Sequence, residues 1–234
     1  MGIAENITQI KKEIGSDVTL VAVSKYSSDR AVHEAYDAGH RHFGENKARD
    51  LKDRAAAMPD DIKWHFIGHL QRNKVKYIAP AVHCIHGVDS LRLLEEIEKR
   101  AGKVPRTVKC LLQLHIAEEE TKFGLSEEEA EEILRSDEMA EFSHVRIIGL
   151  MGMATNTDDE EQIRREFKRL KTFFDKIQAL TVTAEVPDDD DRAPSFPPNV
   201  EMRVLSMGMS ADYKVAIEEG SNMVRIGSAV FKED

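Results

Sequence analysis

The sequence predicts an α/β fold, a single (β/α)8 TIM barrel, and three observations point there. Eight short apolar runs, at 19–24, 41–44, 63–67, 82–88, 108–116, 145–153, 203–207 and 224–227, read as strands buried on both faces. Amphipathic helical stretches separate them, which implies parallel pairing through βαβ units. The 234 residues suit one large core rather than two. A doubly wound open sheet is the competing architecture, but no G-x-G-x-x-G follows the first strand as its dinucleotide-binding version requires.

In chain order, MGIAENITQIKKEIG reads as an amphipathic helix without the apolar core of a signal peptide, and Asn6 breaks the myristoylation pattern. Helical stretches follow at 28–38, 47–58, 71–79, 90–101, 126–135, 158–180 and 211–219. Ser28, Ser90, Ser126 and Ser210 stand where N-caps belong, and Glu129 completes a capping box with Ser126. The stretch 181–199 carries four of the 7 prolines and an aspartate run. It reads as an acidic, Pro-rich loop inserted in the single 1–234 domain; consecutive carboxylates repel and do not converge on one ion.

Composition excludes several classes of function. Net charge is −10 and the pI about 5.4, so bulk attraction to nucleic acid or anionic lipid is not expected. No apolar run reaches the length of a membrane span. Cys84 and Cys110, the 2 cysteines, lie in strand-like runs without metal-ligand spacing and read as buried thiols of a cytoplasmic protein. His65 and His69, and His83 and His86 in HCIH, have suggestive spacings. However, a strand turns His83 and His86 to opposite faces, so no zinc site is expected.

The chemistry of such a barrel lies at the C-terminal ends of its strands. There the first strand ends on Lys25, an amine after a buried run. The loops after the seventh and eighth strands, where barrels commonly hold phosphate, carry Ser206, Gly208, Gly227 and Ser228. Each alone more often makes a turn than a site; together they suggest a phosphate cradle. Arg225, flanked by Val224 and Ile226, points into the mouth if its neighbours pack outward, unless an ion pair with a core carboxylate such as Glu45 holds it. An amine desolvated beside another cation is a better nucleophile toward a carbonyl. Two ligands fit: a sugar phosphate, as in a Schiff-base aldolase, or pyridoxal 5′-phosphate.

VAVSK (21–25), FGEN (43–46), WHFIGHLQRNK (64–74), TKFGL (121–125), GLMGM (149–153) and LSMGMSADYKVAIEEGSNMVRIGSAVF (205–231) resemble, in order, the pyridoxal phosphate homeostasis proteins of the YggS/PROSC family. The resemblance implies a barrel like the N-terminal domain of alanine racemase, with Lys25 holding the cofactor as an internal aldimine. It also implies that Ser206, Gly227 and Ser228 bind the phosphate, that Met207 and Gly208 shape that loop, that Asn46 approaches the ring and that Arg225 faces the pyridine nitrogen. Ile67, Gly68, His69 and Gln71 would line the mouth. A guanidinium cannot take up the ring proton, so carbanion stabilisation would be weaker than beside a carboxylate.

Alanine racemase adds a second domain and takes a second base from its partner subunit. This chain stops at Asp234, and Tyr26 is expected on the face opposite Lys25. The expectation is a cofactor carrier that regulates pyridoxal phosphate availability, monomeric, with other B6 vitamers and pyridoxal-phosphate-dependent apoenzymes as partners. A weak amino-acid racemase is the enzymatic alternative. His115, in place of the family's usual asparagine, marks one departure at the mouth, and Lys232, in place of its final glycine, another. Lys122 reads as a loop cation or as a solvated lysine.

Overall fold

The computed structural model describes residues 2–119, 123–182 and 196–232. Eight parallel strands close into a barrel in sequence order: β1 Thr19–Val23, β2 His42–Glu45, β3 Lys63–Phe66, β4 Val82–Val88, β5 Val108–Gln113, β6 Val145–Met151, β7 Val200–Ser206 and β8 Met223–Ile226. β1 closes against β8 with Val21 beside Arg225. Every predicted strand forms. The largest departures are three residues: β7 starts at Val200 rather than 203, and β5 ends at Gln113 rather than 116.

Alternation in the strands sorts side chains between two cores. One face of each strand joins the large cluster under the helices, where Val224 and Ile226 lie. The other fills the barrel, where Cys84, Leu111, Ile148 and Met151 form a small apolar cluster. Both cysteines are buried free thiols, and burial pushes the Cys84 thiol up to about 12. Gly149 permits the closest approach in the barrel wall: a Cβ there would lie 1.8 Å from the Val204 carbonyl oxygen on β7.

Helix α1, Ile3–Ile14, buries Ile3, Ile7, Ile10 and Ile14 along one stripe, and its Asn6 amide donates to the carbonyls of Val230 and Lys232. It thereby anchors α10, Ser228–Phe231, a single turn after β8. Ser28 caps α2 (Asp29–Asp37), and Ser126 caps α6 (Glu127–Arg135) in a capping box with Glu129. Ser90 makes no side-chain cap on α5, Leu91–Ala101. Ser210 is not a cap either: α9, Tyr213–Glu218, starts behind Asp212, whose carboxylate accepts from the Met209 N–H at 2.6 Å. The 23-residue α8, Glu160–Val182, runs into the acidic stretch, most of which (183–195) lies outside the described residues. No helix among the described residues is long and apolar enough to cross a membrane.

Candidate functional site

The C-terminal mouth of the barrel opens into a cavity of about 1050 Å³. Lys25, Asn46, Arg225, Gly227 and Ser228 all line it, as do Ile67, Gly68 and His69. Gln71 is not among the lining residues, and neither is His115, whose ring nitrogen sits 2.9 Å from the Glu119 carbonyl oxygen. Lys122 lies outside the described residues.

Ser206 and Met207, expected at the phosphate, are fully buried and absent from the lining. The alternation that turns Arg225 into the barrel also turns Ser206 inward from the neighbouring strand. There its Oγ accepts from Arg225 Nη1 at 2.6 Å. Gly208 is likewise off the lining. Its φ of 95° and a Cβ position 2.6 Å from Ala216 Cβ show a tight turn against α9, and its carbonyl accepts from the Arg225 N–H at 3.0 Å. The hydroxyl that does meet Ser228 across the cavity is that of Ser210, at 3.1 Å. Reading Ser210 as a cap concealed this from the sequence.

Tyr26 is a second correction. Both Lys25 and Tyr26 lie past the end of β1, where strand alternation no longer applies. Both line the cavity, with the Lys25 Nζ 5.2 Å from the Tyr26 ring centre. At the rim His69 stacks on the exposed Phe123, ring centres 4.7 Å apart, and the Gln113 amide holds the Phe123 carbonyl at 2.8 Å.

The turn carrying Lys25 is braced from behind by a residue the sequence reading missed. Arg54, on α3 (Ala48–Ala57), donates to the carbonyls of Ser24 and Ser27 and to the Glu45 carboxylate. Glu45 also accepts from Ser24 Oγ at 2.5 Å. Its other oxygen has no partner, and burial raises its pKa above the usual carboxylate value. So Glu45 pairs with Arg54, not with Arg225. Nine residues separate the partners, a spacing that no local pattern marks.

Arg225 is buried, and among the described residues no carboxylate makes an ion-pair contact with it; the Asp212 carboxylate acts on its charge only from beyond contact. It donates through Nη1 to the Ser206 carbonyl and hydroxyl oxygens and through Nη2 to the Gly152 carbonyl. Burial lowers its pKa to about 10. From Ser206 a column of imidazoles descends inside the barrel. His86 Nδ1 lies 3.1 Å from Ser206 Oγ, His65 Nδ1 lies 2.8 Å from His86 Nε2, and His42 Nδ1 lies 3.0 Å from His65 Nε2. His65 and His86, which neither HxxxH nor HCIH pairs, thus converge with Cys84. Two metal-bonded nitrogens at ~2.1 Å each would stand ~3.4 Å apart in a tetrahedral site, so the 2.8 Å separation is that of a hydrogen bond.

Such a barrel, with an amine past its first strand and an inward arginine on its last, is of the alanine racemase N-terminal domain class, whose family matches residues 2–186. Within that class the chain belongs to the pyridoxal phosphate homeostasis protein family. The protein of that name from Helicobacter pylori is 38% identical over 220 residues, 92% of this chain and 88% of that one. Its namesake in Aquifex aeolicus is 35% identical, covering 92% and 86%. PipY of Synechococcus elongatus, solved with pyridoxal phosphate bound, matches with a TM-score of 0.83 at 30% identity, covering 98% of this chain and 100% of that one. Alanine racemase from Bartonella henselae, at 13% identity and a TM-score of 0.69, covers 99% of this chain and 58% of that one and shares the fold.

Proposed function

We propose that this protein binds pyridoxal 5′-phosphate in the mouth cavity, attached through Lys25, and regulates the availability of that cofactor in the cell. The observation that carries this reading is that one cavity is lined by both the Lys25 amine and a buried arginine that, among the described residues, has no carboxylate in contact. The remaining donors fit the same group. Ser210 and Ser228, with the backbone of Gly227 at the start of α10, offer hydroxyl and N–H groups to a phosphate. Asn46 Oδ1 is a buried acceptor without a partner, at the wall where a ring substituent would lie. Three protein hydrogen bonds leave two of the five guanidinium N–H groups of Arg225 for a ring nitrogen.

When bound, the cofactor supplies an aldehyde that reacts with amines and a ring that accepts electrons. Arg225 donates a hydrogen bond but does not release its proton at cellular pH, so the ring nitrogen stays an acceptor and its electron demand stays modest. That favours holding and handing on the group over turnover of a dedicated substrate. Other B6 vitamers and pyridoxal-phosphate-dependent apoenzymes are the partners this role calls for, with the protein acting as a cytoplasmic monomer. Tyr26 beside Lys25 favours testing a second reading, a weak amino-acid racemase.

Adding pyridoxal phosphate to the purified protein should produce a visible absorption band that Lys25→Ala lacks. The same band in Lys25→Ala would sink the attachment site, and no band in the wild type would sink the function. Chiral analysis of alanine and serine after incubation with the loaded protein should show negligible interconversion; rapid interconversion would establish the racemase instead.

A further inference from the structure

The imidazole column below Arg225 has a polarity that one residue dictates. A guanidinium only donates, so Ser206 Oγ is an acceptor toward Arg225. The hydroxyl of Ser206 is fully buried, and its proton needs an acceptor. Besides Arg225, the polar atom in reach is His86 Nδ1, at 3.1 Å. Nδ1 of His86 is therefore bare, and a neutral ring then carries its proton on Nε2. That proton points at His65 Nδ1, 2.8 Å away, which must also be bare. The same step repeats from His65 Nε2 to His42 Nδ1, at 3.0 Å. Burial supports neutrality: it holds His65 and His86 well below the usual imidazole value, with the Arg225 charge adding to the effect at His86.

We propose that Ser206, His86 and His65 are positioning residues that hold Arg225 as a cation without an ion-pair contact, through a one-way hydrogen-bond relay running from the guanidinium to His42 at the barrel floor. Every link donates away from the arginine. The Ser206 oxygen is polarised toward the guanidinium, and stacked dipoles stabilise the charge that a carboxylate would have cancelled. His42 ends the relay where it lines a second cavity, at the opposite end of the barrel beside Gly39 and Thr19. The role of Arg225 toward a pyridine nitrogen rests on the function proposed above; the relay itself does not.

Nitrogen-15 NMR of the full-length chain without pyridoxal phosphate tests the relay at pH 7. His86 and His65 should both appear as neutral Nε2–H tautomers. A proton on Nδ1 of either ring, or a charged ring, overturns the relay. The Nη signals of Arg225 should be resolved, reflecting hindered rotation, and should merge in His86→Leu. His86→Asn returns an acceptor near the Nδ1 position and should keep them resolved. Leu and Asn variants that behave alike would overturn the positioning role; should His86→Leu not fold, the wild-type tautomers still decide. With pyridoxal phosphate added, His86→Leu should bind about tenfold more weakly, the equivalent of one buried hydrogen bond, and His86→Asn close to wild type. Failure of the wild type to bind would refute the proposed function and leave the tautomers to judge the relay.

Discussion

On the β1–β2 side of the barrel mouth a buried carboxylate, Glu45, is in contact with an arginine; on the β7–β8 side a buried arginine, Arg225, has no carboxylate in contact among the described residues. Both charges are withdrawn from water, and the fold handles them differently. Arg54 is consumed in structure: it ties Glu45, Ser24 and Ser27 together and so sets the turn that carries Lys25. Arg225 is surrounded by neutral acceptors, which stabilise its charge without cancelling it. A paired charge builds a wall, while an unpaired one stays available to a ligand.

Removing each arginine should break the two walls unequally. Arg54→Met leaves a buried carboxylate alone and should destabilise by about 3–5 kcal/mol, lowering the melting temperature by roughly 6–20 °C. A loss under about 1 kcal/mol would mean that Glu45 is not held by this pair.

The barrel floor sharpens the comparison, because burial keeps its imidazoles neutral. His40, 2% exposed and 2.8 Å from the His42 carbonyl oxygen through its Nε2, has its pKa lowered by burial from 6.5 to about 4. The unfolded chain takes up that proton first. Stability present above pH 6.5 is therefore lost as pH falls toward 4, by about 3 kcal/mol for this ring. Denaturant melts from pH 7 to 4.5 should show the decline, and His40→Gln should make it shallower. A wild-type curve flat over that range would show the ring to be solvated.

Arg225→Met should have the smallest effect on stability. Relief of the desolvated cation, roughly 3 kcal/mol from its lowered pKa, offsets the loss of its hydrogen bonds, so the net change should lie within about 1 kcal/mol. Yet the absorption band of bound pyridoxal phosphate should shift or vanish. A large stability loss with an unchanged band would make Arg225 a structural residue like Arg54.

Much of the fold was legible because strand and helix periods are local. VAVSK, FGEN and VRIG each announce a buried strand and its end, and the last residues of VAVSK and FGEN, Lys25 and Asn46, do line the cavity. Ser126 with Glu129 announces a helix start for the same reason. Tyr26 shows where this logic stops: alternation ends with the strand at Val23, and three residues beyond it the rule assigned the ring to the wrong side. Ser206 shows the reverse failure. Placed by motif at a phosphate, it sits one layer lower, because a residue still inside a strand faces the barrel and not the loop.

The sequence by itself determined the eight strands, the amine on the first, the arginine on the last and the absence of bulk basic charge, since periodicity and residue chemistry are written in consecutive positions. Tertiary closure alone decided that Glu45 answers Arg54, that Ser210 rather than Ser206 meets Ser228, and that His42, His65 and His86 stand in one column under Arg225. These are contacts between strands and helices far apart in the chain. Their distances depend on barrel stagger and strand register, including the slips beside His65 and Ile85, which no single segment encodes.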